Sequence, residues 1–180
     1  MKLFYLMIFL CLACVSCRKQ KIESDIAEMK AQTVKMPYSK MIRRNCSMSN
    51  TDTITNTCIS IVHYMNNFDC SECMAKRFAD SERVNTYRNQ DYIRHVYIFD
   101  SNIEIAENAY LQMKLFHSQG TVYIDTASVF IKKNPQISKN ILFHTFVMNH
   151  SGEVLLVGDP FLNKKMKKLF EKTLEQYRKP

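Results

Sequence analysis

Short apolar runs alternate along the chain with segments whose apolar residues have helical spacing. The runs are rich in β-branched and aromatic residues and predict strands at residues 59–64, 95–100, 121–125, 142–148 and 154–157. Apolar positions among charges predict helices at 74–88, 104–117 and 163–177, with a brief helix at 127–133. The predicted order is strand, helix, strand, helix, a short strand-helix insert, and then a hairpin followed by a helix.

Strands that alternate with helices predict an α/β fold around a mixed sheet. Right-handed crossovers join the parallel strands, and the final hairpin, punctuated by residues 149–152, adds an antiparallel strand. The helix at 104–117 is expected to be amphipathic, and it carries five apolar residues: Ile105, Ala109, Leu111, Leu115 and Phe116. A chain of 180 residues, 46% hydrophobic and 23% charged, is long enough for one globular domain.

The first 17 residues have the pattern of an export signal. Lys2 precedes an apolar run at 3–13 that is too short to span a bilayer as a mature helix. The sequence becomes polar directly after Cys17, which resembles a bacterial lipoprotein signal with Cys17 as the acylated residue; Cys14 is a second candidate acceptor. A plain secretory signal is the alternative. A lipid on Cys17 would anchor the chain to the cell envelope, with the periplasmic side favoured.

The rest of the chain divides into two predicted parts. Residues 18–57 are interpreted as a tether and lead-in, with a weak helical pattern at Ile22, Ile26 and Met29 and a candidate edge strand further on. Residues 58–180 form the predicted domain.

The chain is basic, with a formal net charge of +8 and local clusters at 18–21 and 164–168. Export argues against a nucleic-acid partner, so these clusters are interpreted as a solvated surface with attraction to anionic lipid. The sequence has no Gly-rich phosphate loop, paired-carboxylate hydrolase motif or nucleophile elbow. We therefore expect no cofactor and a monomer.

Two cysteines, Cys70 and Cys73, lie between the strand at 59–64 and the helix at 74–88. The start of a helix stabilises a thiolate, so Cys70 is the candidate nucleophile and Cys73 the resolving thiol. Half of a zinc site has the same spacing, but no second such pair or spaced histidine pair follows. The pattern favours a redox pair over a structural metal site.

Several other residues could take part in chemistry, but their positions in the sequence also have ordinary structural explanations. Cys46 lies among polar residues and is a candidate free thiol or mixed-disulfide partner, whereas Cys58 is expected to be a buried small hydrophobe. His63, inside a strand, is expected to be a core histidine. Asp100 and Asp125 each end a strand, which fits either a polar site at the carboxyl edge of the sheet or ordinary turn chemistry.

Three groups of residues carry a resemblance to a known family: 69–73, 122–135 and 143–160. From about Cys58 to the C-terminus, the chain resembles thioredoxin-like lipoproteins of Gram-negative bacteria, which are related to peroxiredoxins and thiol-disulfide oxidoreductases. The resemblance implies a thioredoxin-like three-layer α/β/α fold whose central mixed sheet contains a short strand-helix insert. It also implies that the redox pair lies between the first core strand and its helix.

The chain departs from that family at two places. Well-studied members have an aromatic residue before the first cysteine and Gly-Pro between the two, whereas this chain has Asp69, Ser71 and Glu72. These carboxylates oppose a thiolate unless Lys76 or Arg77 offsets them.

The second departure is His144, which stands where the family has a cis-proline before the strand that begins at Thr145. The resemblance places His144 near Cys70, as a base, a hydrogen-bond partner of the thiolate or a metal ligand. The alternative is a strand-end histidine that faces solvent.

The sequence therefore leads to a main hypothesis and two rivals. The main one is a membrane-anchored thiol-disulfide oxidoreductase whose partners are protein or small-molecule thiols and disulfides. Its rival is a non-enzymatic binding lipoprotein in which Cys70 and Cys73 form a structural disulfide or, with His144, a site for Cu(I) or Zn. A peroxidase activity rests on analogy of fold alone.

Overall fold

The computed structural model describes residues 20–46, 59–66, 92–115, 120–137 and 141–178, and in this part of the chain six strands form one mixed sheet. The strands are β1 (Ile42–Asn45), β2 (Ile59–Asn66), β3 (Ile93–Asp100), β4 (Thr121–Ile124), β5 (Thr145–Met148) and β6 (Val154–Val157). Their order across the sheet is β1-β4-β3-β2-β5-β6. β2, β3 and β4 are parallel, while β1 pairs antiparallel with β4, and β5 pairs antiparallel with β2 and β6.

Helices cover both faces of this sheet. Within the described residues they are α1 (residues 20–31), α2 (Ile103–Leu115), α3 (Val129–Lys133) and α4 (Lys164–Arg178), with single 3-10 turns at Tyr38–Lys40 and Ile141–Phe143. The predicted α/β class, the mixed sheet and the strand-helix insert, here β4 and α3, are confirmed. The predicted helix at 74–88 lies outside the described residues. No helix in the described segments has the length and apolar character needed to cross a bilayer.

The central strand β2 is buried on both faces, so its apolar run is almost continuous. Val62 and Tyr64 point to one face, where they pack with residues of α1 and α3, including Met29 and Phe130. The other face is divided between two helices. α2 covers a cluster around Tyr97 and Phe99, and α4 covers a cluster that includes Ile59, Ile61 and Val147.

The segment interpreted as a tether is packed against the sheet in its described part. Ile22, Ile26 and Met29 of α1 contact the core, and Met29 is 0% exposed. β1 supplies the candidate edge strand. Residues 20–46 therefore belong to the folded unit and do not form a tether.

Hydrogen bonds fix this segment at two further points. The Lys35 amide donates to Asn134 Oδ1 (2.7 Å), and the Asn134 amide group donates to the carbonyls of Lys35 (2.9 Å) and Phe130 (2.7 Å). The Val34 amide donates to the carbonyl of Gly152 (2.8 Å). Gly152 has φ 85°, and a Cβ there would lie 2.4 Å from the Val34 carbonyl oxygen, so the close approach requires glycine.

The apolar residues named on α2 are buried only in part. Ala109 is buried, together with Ala106 and Met113, whereas Leu111 and Leu115 are 52% and 70% exposed. The two alanines let the helix lie close to the sheet, where large aromatic residues fill the interface from below.

We expect Met29→Ala to lower the free energy of unfolding of the full-length chain by about 2 to 5 kcal/mol, because it leaves a cavity in the core beneath α1. Chemical denaturation measures this change. Lys30→Ala, at the exposed next position, is the control and should change stability by less than about 0.5 kcal/mol. Equal losses for the two variants would contradict the packing of α1.

Candidate functional site

The carboxyl ends of β2, β3 and β4 meet at one edge of the sheet, because the three strands are parallel. Asn66 ends β2 and pairs with Asp100 at the end of β3. In the sequence, Cys70 follows Asn66 by four positions. Cys70 and Cys73 themselves lie outside the described residues, as do Cys17 and Cys58, so their roles stay predictions.

A buried carboxylate organises this edge. The Tyr64 hydroxyl donates to Asp100 Oδ2 (2.6 Å), and the Ser128 hydroxyl donates to Asp100 Oδ1 (2.7 Å). Ser128 has φ 52°, in the left-handed region that non-glycine residues rarely adopt. Its bond to Asp100 helps to hold this conformation at the start of α3. Asp100 thus forms part of a polar cluster at the edge, one of the two alternatives that the sequence left open.

Asp125 fits the other alternative, ordinary turn chemistry, because its side chain caps the start of α3. Its two carboxylate oxygens accept the amides of Val129 (2.9 Å) and Phe130 (2.7 Å). A carboxylate at this position satisfies amides that have no partner within the helix and interacts favourably with the helix dipole. It is fully buried and committed to the local fold.

His144 lies beside the end of β2, immediately before β5. Its carbonyl accepts the Tyr64 amide (2.8 Å), and its ring meets the Tyr64 ring edge-on, with centroids 5.1 Å apart and planes at 79°. The side chain is 6% exposed, so the alternative of a solvent-facing strand-end histidine is wrong. His144 therefore lies against Tyr64, near the end of β2, the strand that leads toward Cys70 in sequence.

A second polar cluster is buried on the face of the sheet that α2 and α4 cover. His63 Nε2 is 3.3 Å from His95 Nδ1, and His63 Nδ1 is 3.3 Å from Thr145 Oγ1. His63 and His95 are 5% and 7% exposed, so the expectation of a core histidine at 63 agrees with the structure. The sequence analysis missed His95 as a partner. The sequence did contain a signal for this contact, because two strands that were predicted to be parallel neighbours each contain a histidine.

Burial disfavours a charge on His95 in this second cluster. It lowers the pKa of His95 from 6.5 to about 4, because the charged imidazolium loses water without a compensating charge. Burial also raises the pKa of Tyr97 far above its usual range, and the neighbouring Cys46 and Asp159 raise it further.

Cys46 has an apolar environment despite its polar sequence neighbours. It is half-buried and packs against the cluster beneath α2. Burial raises the pKa of its thiol from 9.0 to about 11, with Lys114 opposing the shift. Since the thiolate is the reactive form, Cys46 is poorly suited to the redox role that its sequence context allowed.

No family profile and no curated protein matches the chain. Among solved structures, an uncharacterized thioredoxin-like protein from Porphyromonas gingivalis superposes with a TM-score of 0.54 at 11% identity, over 82% of this chain and 94% of that chain. A thioredoxin-like protein in the oxidized form gives a TM-score of 0.51 at 12% identity, over 81% and 96%. The chain has a thioredoxin-like fold. A thiol-disulfide oxidoreductase from Bacteroides fragilis is similar at a TM-score of 0.47 and 13% identity, over 77% and 99%.

The thioredoxin-like fold accounts for two of the three groups of residues that carried the resemblance. Residues 122–135 form most of β4 and all of α3, and residues 143–160 include β5 and β6. The third group, 69–73, lies outside the described residues. Within the described segments of the thioredoxin-like fold, no three or more His, Cys, Asp or Glu side chains are grouped to hold a metal ion.

We expect Tyr64→Phe to destabilise the chain by about 1 to 3 kcal/mol, because Asp100 loses a buried hydrogen-bond donor. Chemical denaturation of the full-length chain measures the loss. Tyr177→Phe removes a hydroxyl from an exposed side chain and is the matched control, with an expected change below about 0.5 kcal/mol. No difference between the two variants would show that the buried hydrogen bond does not stabilise this edge.

Proposed function

We propose that this chain is a thiol-disulfide oxidoreductase that uses Cys70 and Cys73. The supporting observation is the thioredoxin-like sheet, in which β2 ends at Asn66, four positions before Cys70. A C-x-x-C pair that follows a central strand of this kind of sheet is typical of redox sites. The polar edge formed by Tyr64 and Asp100 lies where the chain leaves that strand.

The proposed reaction proceeds through a mixed disulfide. The Cys70 thiolate attacks one sulfur of a substrate disulfide, forms a new S–S bond and releases the other substrate sulfur as a thiolate that takes up a proton. Cys73 then loses its proton and attacks Cys70, which releases the second substrate thiol. The substrate gains two electrons and two protons, and the Cys70–Cys73 pair becomes a disulfide. The reverse sequence oxidises a dithiol substrate.

Two opposing electrostatic effects set the reactivity of Cys70. The start of the predicted helix at 74–88 favours the thiolate, while the carboxylates of Asp69 and Glu72 disfavour it. His144 lies at the neighbouring strand end, where a protonated imidazole would stabilise the thiolate and a neutral one would accept its proton. We assign His144 this supporting role.

The second candidate is a soft-metal site formed by Cys70, Cys73 and His144 in a binding lipoprotein. The buried position of His144 beside the end of β2 favours it, because two thiolates and an imidazole are a suitable ligand set for Cu(I) or Zn. One equivalent of metal retained through dialysis, and lost in Cys70→Ser, would favour this function over the redox one.

We further propose that a lipid on Cys17 anchors the protein to the cell envelope. α1 begins three positions after Cys17 and packs directly on the sheet, so such a lipid would hold the folded unit close to the membrane surface.

The redox proposal predicts that Cys70 has a thiol pKa below the usual value of about 8.5. Alkylation rates of the reduced full-length chain against pH, resolved by peptide mass spectrometry, separate Cys70 from the other cysteines. Cys46 is the internal comparison and should react with a pKa of about 11. We expect Cys70→Ser to abolish disulfide reduction and Cys73→Ser to accumulate a mixed disulfide, while Cys46→Ser remains active. A Cys70 pKa at or above 8.5 together with an active Cys70→Ser variant would refute the proposal.

The anchoring proposal predicts that Cys17→Ser moves the protein from the membrane fraction to the soluble fraction of an expressing bacterium. Intact mass of the wild-type protein should show a lipid on an N-terminal cysteine. Cys14→Ser is the control and should stay in the membrane fraction, because Cys14 would be removed with the signal. Membrane retention of Cys17→Ser would transfer the assignment to Cys14 or exclude lipidation.

A further inference from the structure

The proposed redox chemistry leaves the buried pair His63 and His95 without a role. Their ring planes differ by 5°, their nitrogens are 3.3 Å apart and their centroids 5.6 Å apart. These values describe two imidazoles that lie edge to edge in nearly one plane, joined by an N–H···N hydrogen bond, rather than two rings stacked face to face. A third group, the Thr145 hydroxyl, lies 3.3 Å from the far nitrogen of His63.

This arrangement has room for one extra proton and no more. In one tautomer of the neutral pair, the Thr145 hydroxyl donates to His63 Nδ1, and His63 Nε2–H donates to His95 Nδ1. A proton taken up by His63 Nδ1 is accommodated, because the hydroxyl rotates to accept this N–H and the bond to His95 is kept. A proton on His95 Nδ1 would instead place two N–H groups against each other and break that bond.

The surroundings oppose any charge on the pair. The Tyr97 ring lies against His63, with centroids 4.9 Å apart, and the Phe161 ring lies 6.2 Å from His95. The ionisable groups packed on this face among the described residues include Tyr97 of β3, Cys46 after β1 and Asp159 after β6, of which the last two act on Tyr97. Lys114 of α2 acts on Cys46, and Tyr92 and Tyr110 pack at the margins of the same face. α2 and α4 present apolar side chains to this face.

The turn that follows β6 lies over the pair and contains two partly buried residues, Asp159 and Phe161. Residues 158–161, here called the β6-α4 turn, place Phe161 between His95 and Phe170 of α4. The turn is fixed by the Gly158 amide, which donates to the Thr145 carbonyl (2.7 Å), and by Asp159 Oδ1, which accepts the Phe161 amide (2.8 Å). Movement of this turn would give water access to His95 without breaking the sheet.

We propose that the His63–His95 pair is a pH-sensitive contact: protonation of His95 in mild acid breaks its bond to His63, opens the β6-α4 turn and frees the start of α4 from the sheet. This proposal does not depend on the function of Cys70 and Cys73. It rests on the geometry of the pair, the Thr145 hydroxyl and the position of Phe161.

The direction of the effect follows from linkage. A histidine that is neutral in the closed state but can bind a proton in the open state shifts the equilibrium toward the open state as the pH falls. Between the ordinary pKa of 6.5 in the open state and about 4 in the closed state, the opening constant rises as the pH falls, roughly 30-fold at pH 5 relative to pH 8. Opening is therefore insensitive to pH above about 7.

Hydrogen exchange of the full-length chain, corrected for intrinsic rates, tests the proposal at pH 8 and pH 5. The amides of Gly158, Phe161 and Leu162 should lose roughly 30-fold in protection at pH 5. The Gly152 amide, which donates to the Asn149 carbonyl in a different turn, is the internal reference and should keep its protection. His95→Asn retains an acceptor for His63 but cannot be protonated, so its turn should show no pH effect. His150→Asn, at an exposed histidine, is the matched control and should behave as wild type.

Unchanged protection of the turn in wild type, or the same loss in His95→Asn, would overturn the proposal. Equal losses at Gly152 would also overturn it, because they would indicate global unfolding instead of local opening. A measurement on the wild-type chain covers the case in which His95→Asn does not fold: the imidazole nitrogen shifts of His95 should show a pKa of about 4 in the closed state. A His95 pKa near the ordinary value of about 6.5 would overturn the proposal, because His95 would then not be held neutral in the closed state.

Discussion

The structure depends on the parallel pairing of β2 and β3, which match residue for residue from Ile59 and Ile93 to Asn66 and Asp100. Both strands are covered on both faces, and side chains alternate between those faces. A shift of the pairing by one residue would move every side chain of one strand to the wrong layer. The hydrophobic cost of such a shift fixes the register, and the register then fixes the position of each polar group.

Two different polar clusters arise from this single register. Tyr64 and Asp100 meet on the edge next to His144, where a carboxylate is bound by hydroxyl groups. His63, one position earlier, points to the opposite face and meets His95 in an apolar and aromatic environment. The first cluster consists of a carboxylate with two hydroxyl donors, whereas the second consists of two imidazoles enclosed by apolar and aromatic side chains. His63 and Tyr64, which are adjacent on β2, thus lie in environments of different polarity.

The sequence predicted the strands, the insert and α4 well, because apolar runs of β-branched residues and a strongly amphipathic helix give clear patterns. It indicated only part of the buried side of α2, since Ala106 gives little signal although small residues allow the closest packing. It interpreted the segment of α1 as a tether or a short helix because only Ile22, Ile26 and Met29 mark its buried side. Strand register cannot be derived from one sequence, so His95 was missed as a partner of His63. Cys46 shows the same limit, because its neighbours in space are apolar and its neighbours in sequence are polar.

The bonds between Lys35 and Asn134 also determine the order in which the fold is completed. They join residues 99 positions apart, and Val34 bonds to Gly152, which is synthesised later still. Residues 20–46 therefore find these partners only when most of the chain has followed. Until then, the apolar residues of α1 lack the strands that they cover in the fold. Contacts of such long range are slow to form, so α1 is exposed in an incompletely synthesised chain.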